Sequence, residues 1–290
     1  MLWFLLSLIS AFLTATYSIL IKKNVKKIDE YILAGFTLLL GSLMLFFVSL
    51  TQNIPKINFI PIISIISTAL LNSIAIIFYF KALKFEDISL TIPFISLTPL
   101  FLLFTSYIML KETPSIQGVA GISLLVLGAY SINFKKKEKI FRPFCEIIRN
   151  KGILLMMGAA FIWSISANLY KLAIITSDII FAITLIYFIM GIILLCVSIL
   201  KRKDIKLIKE FEKNKYKFLL LSILLILSDI AIAISFTYQI VPYVISIKRM
   251  SILFSVIYGA IVFREKVFIH RFISALLMVM GSICITLSTY

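Results

Sequence analysis

Three charged side chains, Asp229, Lys248 and Arg249, stand inside otherwise apolar sequence, in the stretch LSDIAIAISFTYQIVPYVISIKRMSILFSVIYGAIVFRE that runs from Leu227 to Glu265. A charge at bilayer depth costs about 2.5–3.5 kcal/mol on insertion scales. Such charges are expected to pair, to bind a solute or to line a watery cavity. The stretch reads as two helices joined by a tight turn containing Pro242. At 1.5 Å per residue, Lys248 and Arg249 lie roughly 9–10 Å below the turn, and Asp229 lies within about 5 Å of that depth. An Asp229 bridge to either cation would fix the hairpin. One positive charge is then left over, and it suits a carboxylate, phosphate or sulfate, with Arg249 fitted for bidentate contact. Successive helical residues point about 100° apart, so the two cations need not share a face. Asp229 is also a candidate proton carrier should its bridge open.

The other polar candidates are weaker. Asn72 and Ser73 occupy the same places in LNSIAIIFYF (71–80) that Ser228 and Asp229 occupy in LSDIAIAISF (227–236). Asn168 sits centrally in another apolar run, where an amide must find a partner, and helix–helix hydrogen bonding competes with solute contact. Tyr79, like Tyr170, Tyr187, Tyr238 and Tyr258, reads as a packing or interface residue unless it lines a cavity. Cys145, Cys196 and Cys284 are far apart and His270 is the single histidine, so no metal-ligand or nucleophile–base pattern emerges and no cofactor is expected.

These residues are carried by apolar helices. The chain has 290 residues, 61% of them hydrophobic, against about 45–50% in soluble domains. Ten candidate spans follow, at 2–21, 31–50, 59–80, 88–110, 115–134, 152–170, 178–200, 218–238, 242–263 and 267–289. The pattern predicts an all-α integral membrane protein, since a β-barrel needs alternating segments of about 10 residues. KLIKEFEKNKYK (206–217) is expected to lie in the interface as a short amphipathic helix. The net charge of +16 would suit nucleic acid in a soluble chain. Here 24 Lys and Arg fall in the connectors after spans 1, 3, 5, 7 and 9 or, for Arg271, just inside the span that follows, and 3 in the connectors after spans 2, 4, 6 and 8. The bias places the rich connectors in the cytoplasm against anionic lipid, with both termini outside and no role for nucleic acid.

The chain also repeats itself. AFLTATYSILIK (11–22) matches AFIWSISANLYK (160–171), and LKETPSIQGVAGISLLVLG (110–128) matches FREKVFIHRFISALLMVMG (263–281) with Glu and Gly in register 153 residues apart. These matches divide the chain into a first five-helix half (1–134), a basic cytoplasmic linker (135–151) and a second half (152–290). Five is odd, so the halves insert upside down relative to each other. Inverted repeats meeting at the membrane centre are a transporter architecture.

The chain resembles the drug/metabolite transporter superfamily, specifically its EamA-like family. The matching residues are Pro99, Glu112 and Gly128 in the first half and Glu265 and Gly281 in the second. The resemblance implies two inverted five-helix repeats in an inner-membrane carrier, often an exporter of amino acids or other small metabolites. The sequence departs from the pattern at Ile252, where Pro is frequent, and in its charge-derived orientation, since family members are often drawn with cytoplasmic termini. Pro93 and Pro99 are expected to loosen span 4. Glu112 is expected to favour the helix after it, with Thr113 as N-cap and Pro114 at its first position, and Lys171 to snorkel to the surface. No GxxxG motif is present, so a homodimer is left open without a signature. The leading reading is a secondary transporter of a small polar or charged metabolite, with protons as a candidate coupling ion. The alternative is a flippase for a phosphate-bearing lipid carrier.

Overall fold

The computed structural model describes residues 1–24, 28–51, 58–85, 91–131, 150–201, 207–263 and 269–289, and every element among them is helical. The first half contains α1 (Leu2–Asn24), α2 (Glu30–Ser49), α3 (Phe59–Phe85), a 3₁₀ segment (Ile92–Leu97) leading directly into α4 (Thr98–Leu110), and α5 (Ile116–Ser131). The second contains α6 (Lys151–Thr176), α7 (Ile179–Lys201), α8 (Leu207–Tyr238), α9 (Val241–Lys248), α10 (Ser251–Phe263) and α11 (Ile269–Leu287). Residues 135–149 of the expected linker, and Glu265, lie outside the described residues.

Six helices, α1, α2, α3, α6, α7 and α8, are long and apolar enough to cross a membrane. Their outer surfaces carry Phe47, Phe59, Leu200 and Leu227, all exposed, as lipid contact requires and water does not allow. Inside, hydroxyls bond back to the preceding turn, as in Ser7 to the Trp3 carbonyl, Thr37 to Leu33 and Ser73 to Ala69. This keeps small polar groups satisfied without water.

The expected ten uninterrupted spans do not all appear. Span 4 is split between the 3₁₀ segment and α4, and span 9 between α9 and α10. In span 4 the cause is local, because Pro93 and Pro99 remove two backbone donors. Span 9 breaks with no proline at the break: the Arg249 N–H is shared between the Ile245 and Ser246 carbonyls, the Met250 and Ile252 N–H groups reach back only three residues, to Ile247 and Arg249, and the four-residue spacing resumes at Phe254. The two breaks match in register. α4 and α10 are both 13 residues long and start 153 residues apart, the spacing of Glu112 and Glu265. The segment 207–217 is not a separate interfacial helix but the first third of the 32-residue α8. Phe211 and Phe218 pack on Phe36 and hold that extension against α2.

Packing exchanges the halves. α1 lies along α8 and α3 along α6, while α2 pairs with α7 and α5 with α11. Under the sequence repeat α1 corresponds to α6, α2 to α7, α3 to α8 and α5 to α11, so exchanging the halves maps this pairing onto itself. That is the behaviour of a pseudo-two-fold. Asp29 and Asp178, at equivalent positions, each accept two N–H bonds at the starts of α2 and α7. Gly121 and Gly281 face each other across the α5–α11 crossing, and a Cβ on Gly281 would sit 2.6 Å from the Gly121 carbonyl oxygen. Gly128 makes the symmetric approach, 2.6 Å from the Ser274 carbonyl oxygen. One face of the bundle, here the terminal face, gathers the start of α1, the ends of α4, α6 and α8, the start of α9 and the end of α11. Ser235 Oγ bonds the Trp3 carbonyl there, and Ser288 Oγ bonds Tyr243 Oη.

Candidate functional site

α8 and α9 form a hairpin whose turn is at the terminal face. Asp229 lies nine residues from the end of α8 and Lys248 seven from the start of α9, which puts both roughly 10–14 Å deep. Lys248 Nζ donates to Asp229 Oδ1 at 3.3 Å. Their side chains are 26% and 22% exposed, so the pair borders accessible space rather than a sealed core. Tyr187 Oη, from α7, donates to Asp229 Oδ2 at 2.8 Å. The carboxylate therefore has a partner on each oxygen.

Arg249 turns the other way, as helical geometry expects of a neighbour. Its Nη2 donates to Thr98 Oγ1 at 2.8 Å, and Thr98 Oγ1 in turn donates to the Ile95 carbonyl at 2.7 Å. Thr98 opens α4, so the break of span 9 meets the break of span 4 through this contact. Arg249 Nε is buried with no hydrogen-bond partner, and among the described residues no carboxylate pairs with the guanidinium. Among the described residues the hairpin thus carries one neutralised cation and one without an acid. Tyr170 Oη is likewise buried and unpartnered.

The remaining candidates are distributed differently. Asn168 is fully buried and bonded throughout: it accepts from Ser106 Oγ at 2.6 Å and donates to Thr105 Oγ1 and the Ser164 carbonyl. Those bonds join α4 to α6. Ser73 bonds its own helix, and Asn72 beside it is half-buried. Tyr79 packs against Phe80 and Trp163. Pro99 begins α4 beside Thr98, and Pro93 lies in the 3₁₀ segment before it. Gly128 and Gly281 serve the α5–α11 crossing.

Glu112 and Lys171 depart from expectation. Lys171 does not snorkel to the surface but donates to Glu112 Oε1 at 2.7 Å and to the Gln239 carbonyl at 2.8 Å. Glu112 Oε2 accepts the Val241 N–H at 2.8 Å, at the start of α9 rather than of α5. α5 begins at Ile116 and takes its cap from Ser115, whose Oγ accepts the Gly118 N–H, and not from Thr113. Sequence reasoning had no reason to connect Glu112 with a turn 129 residues away. Tyr187 and Thr98 were also missed as partners. The available signal was that an intramembrane carboxylate and guanidinium each need more donors or acceptors than one hairpin provides.

Among the described residues no group of three or more His, Cys, Asp or Glu side chains is placed to hold a metal. Residues 1–134 and 150–287 both match the model of the EamA-like transporter family. Among curated proteins none matches the sequence. A solved structure titled only "Crystal structure of protein" is similar over 98% of this chain and 96% of its own, with a TM-score of 0.77 at 15% identity. At that identity the likeness concerns the fold alone.

Proposed function

The chain belongs to the EamA-like transporter family, and on that premise we propose that it exports a small polar or charged metabolite, such as an amino acid or organic anion, across the inner membrane by alternating access. The observation that carries this reading is the asymmetric cluster where the two broken spans meet. Asp229 and Lys248 are paired, while among the described residues the Arg249 guanidinium beside them meets the Thr98 hydroxyl and no carboxylate. A cation held near the middle of a bilayer without an acid is stabilised by an anionic group that comes and goes. Helix breaks support the same reading, because irregular backbone at membrane depth is tolerated where it lines a cavity. Asp229, with Lys248 as its counter-charge, is the candidate proton site. Asn72, Ser73 and Tyr79 are candidate wall residues, and Asn168 is a packing residue beside them.

Transport in proteoliposomes tests the reading. A panel of amino acids, organic acids and sugar phosphates is loaded with and without a pH gradient, and wild type is compared with Asp229→Asn, Lys248→Ala and Arg249→Ala. Movement of an anionic solute is expected, with about a ten-fold or larger loss in Arg249→Ala, the effect of removing one charge-assisted contact. Asp229→Asn is expected to abolish the response to the pH gradient. Movement of a fluorescent phosphate-bearing lipid in place of any soluble compound would transfer the assignment to a flippase. Full activity of folded Lys248→Ala and Arg249→Ala proteins would remove the cations from the solute site.

A further inference from the structure

The bonds of Glu112 and Lys171 have a geometry that packing alone does not require. The two side chains are 10% and 14% exposed and lie 2.7 Å apart. Each holds the α8–α9 turn by main chain: Lys171 by the Gln239 carbonyl oxygen, Glu112 by the Val241 N–H. The grip is on the path of the turn and is independent of the side chains the turn carries. It crosses between the halves, from the end of α4 to the turn whose two arms bear Asp229 and Lys248. Tyr170, next to Lys171 in α6, packs edge-on against Phe236 of α8, the helix that carries Asp229. The latch and that helix are therefore linked through adjacent residues of α6. A mostly buried ion pair adds little net stability over an apolar pair, but it has two distinct states, made and broken, and a gate needs such an element.

We propose that Glu112 and Lys171 form the latch of the terminal-face gate: made, they hold the α8–α9 turn shut over the charged cluster, and their separation is the step that opens this face. The inference rests on the transport reading, whose alternating access it describes at one end.

Electron–electron distance measurement on the full chain in liposomes tests it without any substrate. Nitroxides are placed on Ile175→Cys and Tyr238→Cys, both exposed at the ends of α6 and α8, after Cys145, Cys196 and Cys284 are replaced by Ser. Wild type is expected to give a dominant short distance. Glu112→Gln and Lys171→Met are each expected to raise the long-distance fraction about ten-fold. The double variant should match the stronger single one, because all three remove the same contact. Two substitutions of different chemistry guard against misfolding of either. A wild-type distribution in both folded variants overturns the latch, as does lowered thermal stability without longer distances. A shift in distance with no solute moving in the panel keeps the latch and removes the transport reading; transport without a shift does the reverse.

Discussion

Asp229 receives its two partners from two different helices, Lys248 of α9 and Tyr187 of α7, so each can be removed separately. Tyr187→Phe deletes one hydrogen bond while leaving the charges balanced, and is expected to lower stability by about 1–2 kcal/mol. Asp229→Asn leaves Lys248 without a counter-charge and is expected to cost about 3 kcal/mol, the low end for a broken buried pair because this one is partly exposed. The double variant Asp229→Asn with Lys248→Met removes both charges and should recover most of that loss. Thermal unfolding in detergent measures all three, and a double variant less stable than Asp229→Asn alone would show that the charges do not compensate each other. At this scale the sequence was legible where the interaction was local. Asp229 and Lys248 lie on one hairpin at similar depth, and intramembrane charges must pair. Arg249 to Thr98 and Glu112 to Val241 were not legible, because each depends on where a helix of the other half begins or ends.

The elements are shaped by backbone rules, and glycine shows this most directly. A Cβ on Gly281 would meet the Gly121 carbonyl oxygen at 2.6 Å, an atom fixed by its own helix, whereas a Cβ on Gly158 would meet only the Phe78 ring edge at 3.2 Å. Gly→Ala gains about 1 kcal/mol in helix propensity. Gly158→Ala is therefore expected to be neutral or slightly stabilising, and Gly281→Ala destabilising by about 1–3 kcal/mol through overpacking. The same unfolding measurement reads both, and equal effects would mean that the α5–α11 crossing yields where the structure holds it close. The register of Glu112 with Glu265 and of Gly128 with Gly281 revealed the repeat from sequence; for the glycines the reason is the crossing, which demands small residues at those places. The break in span 9 stayed hidden. It has no proline at the break, and Ile252, where Pro99 stands in the first half, reads as uninterrupted helix. The continuation of α8 through 207–217 was hidden for the opposite reason: its lysines look like an end, while Phe211 and Phe218 pack it against α2.

The whole molecule combines a nearly symmetric backbone with one-sided chemistry. Helix pairings, the starts of α2 and α7, the α5–α11 approach and the lengths of α4 and α10 all repeat, yet the three central charges belong to the second half. The first half presents Ser73 where the second has Asp229, and Ile95 and Ser96 where it has Lys248 and Arg249. A symmetric frame is what alternating access between two mirrored states of similar energy would use. On the proposed transport reading, an asymmetric cluster would keep solute contact on one hairpin through both, and the states would differ in which end of the hairpin is held. The latch at the terminal face gives that end a direction once orientation is fixed. The 24-to-3 division of Lys and Arg predicts that the terminal face is outside. Single cysteines at Tyr238 and Lys201, both exposed and at opposite ends of the bundle, decide the matter in a background without Cys145, Cys196 and Cys284. A membrane-impermeant maleimide added to intact cells is expected to label Tyr238→Cys and to reach Lys201→Cys only after permeabilisation. With that result, separation of Glu112 from Lys171 opens the route to the exterior and is the release step of an exporter. The reverse labelling would make the same latch an inner gate, and export would then begin, rather than end, with its opening.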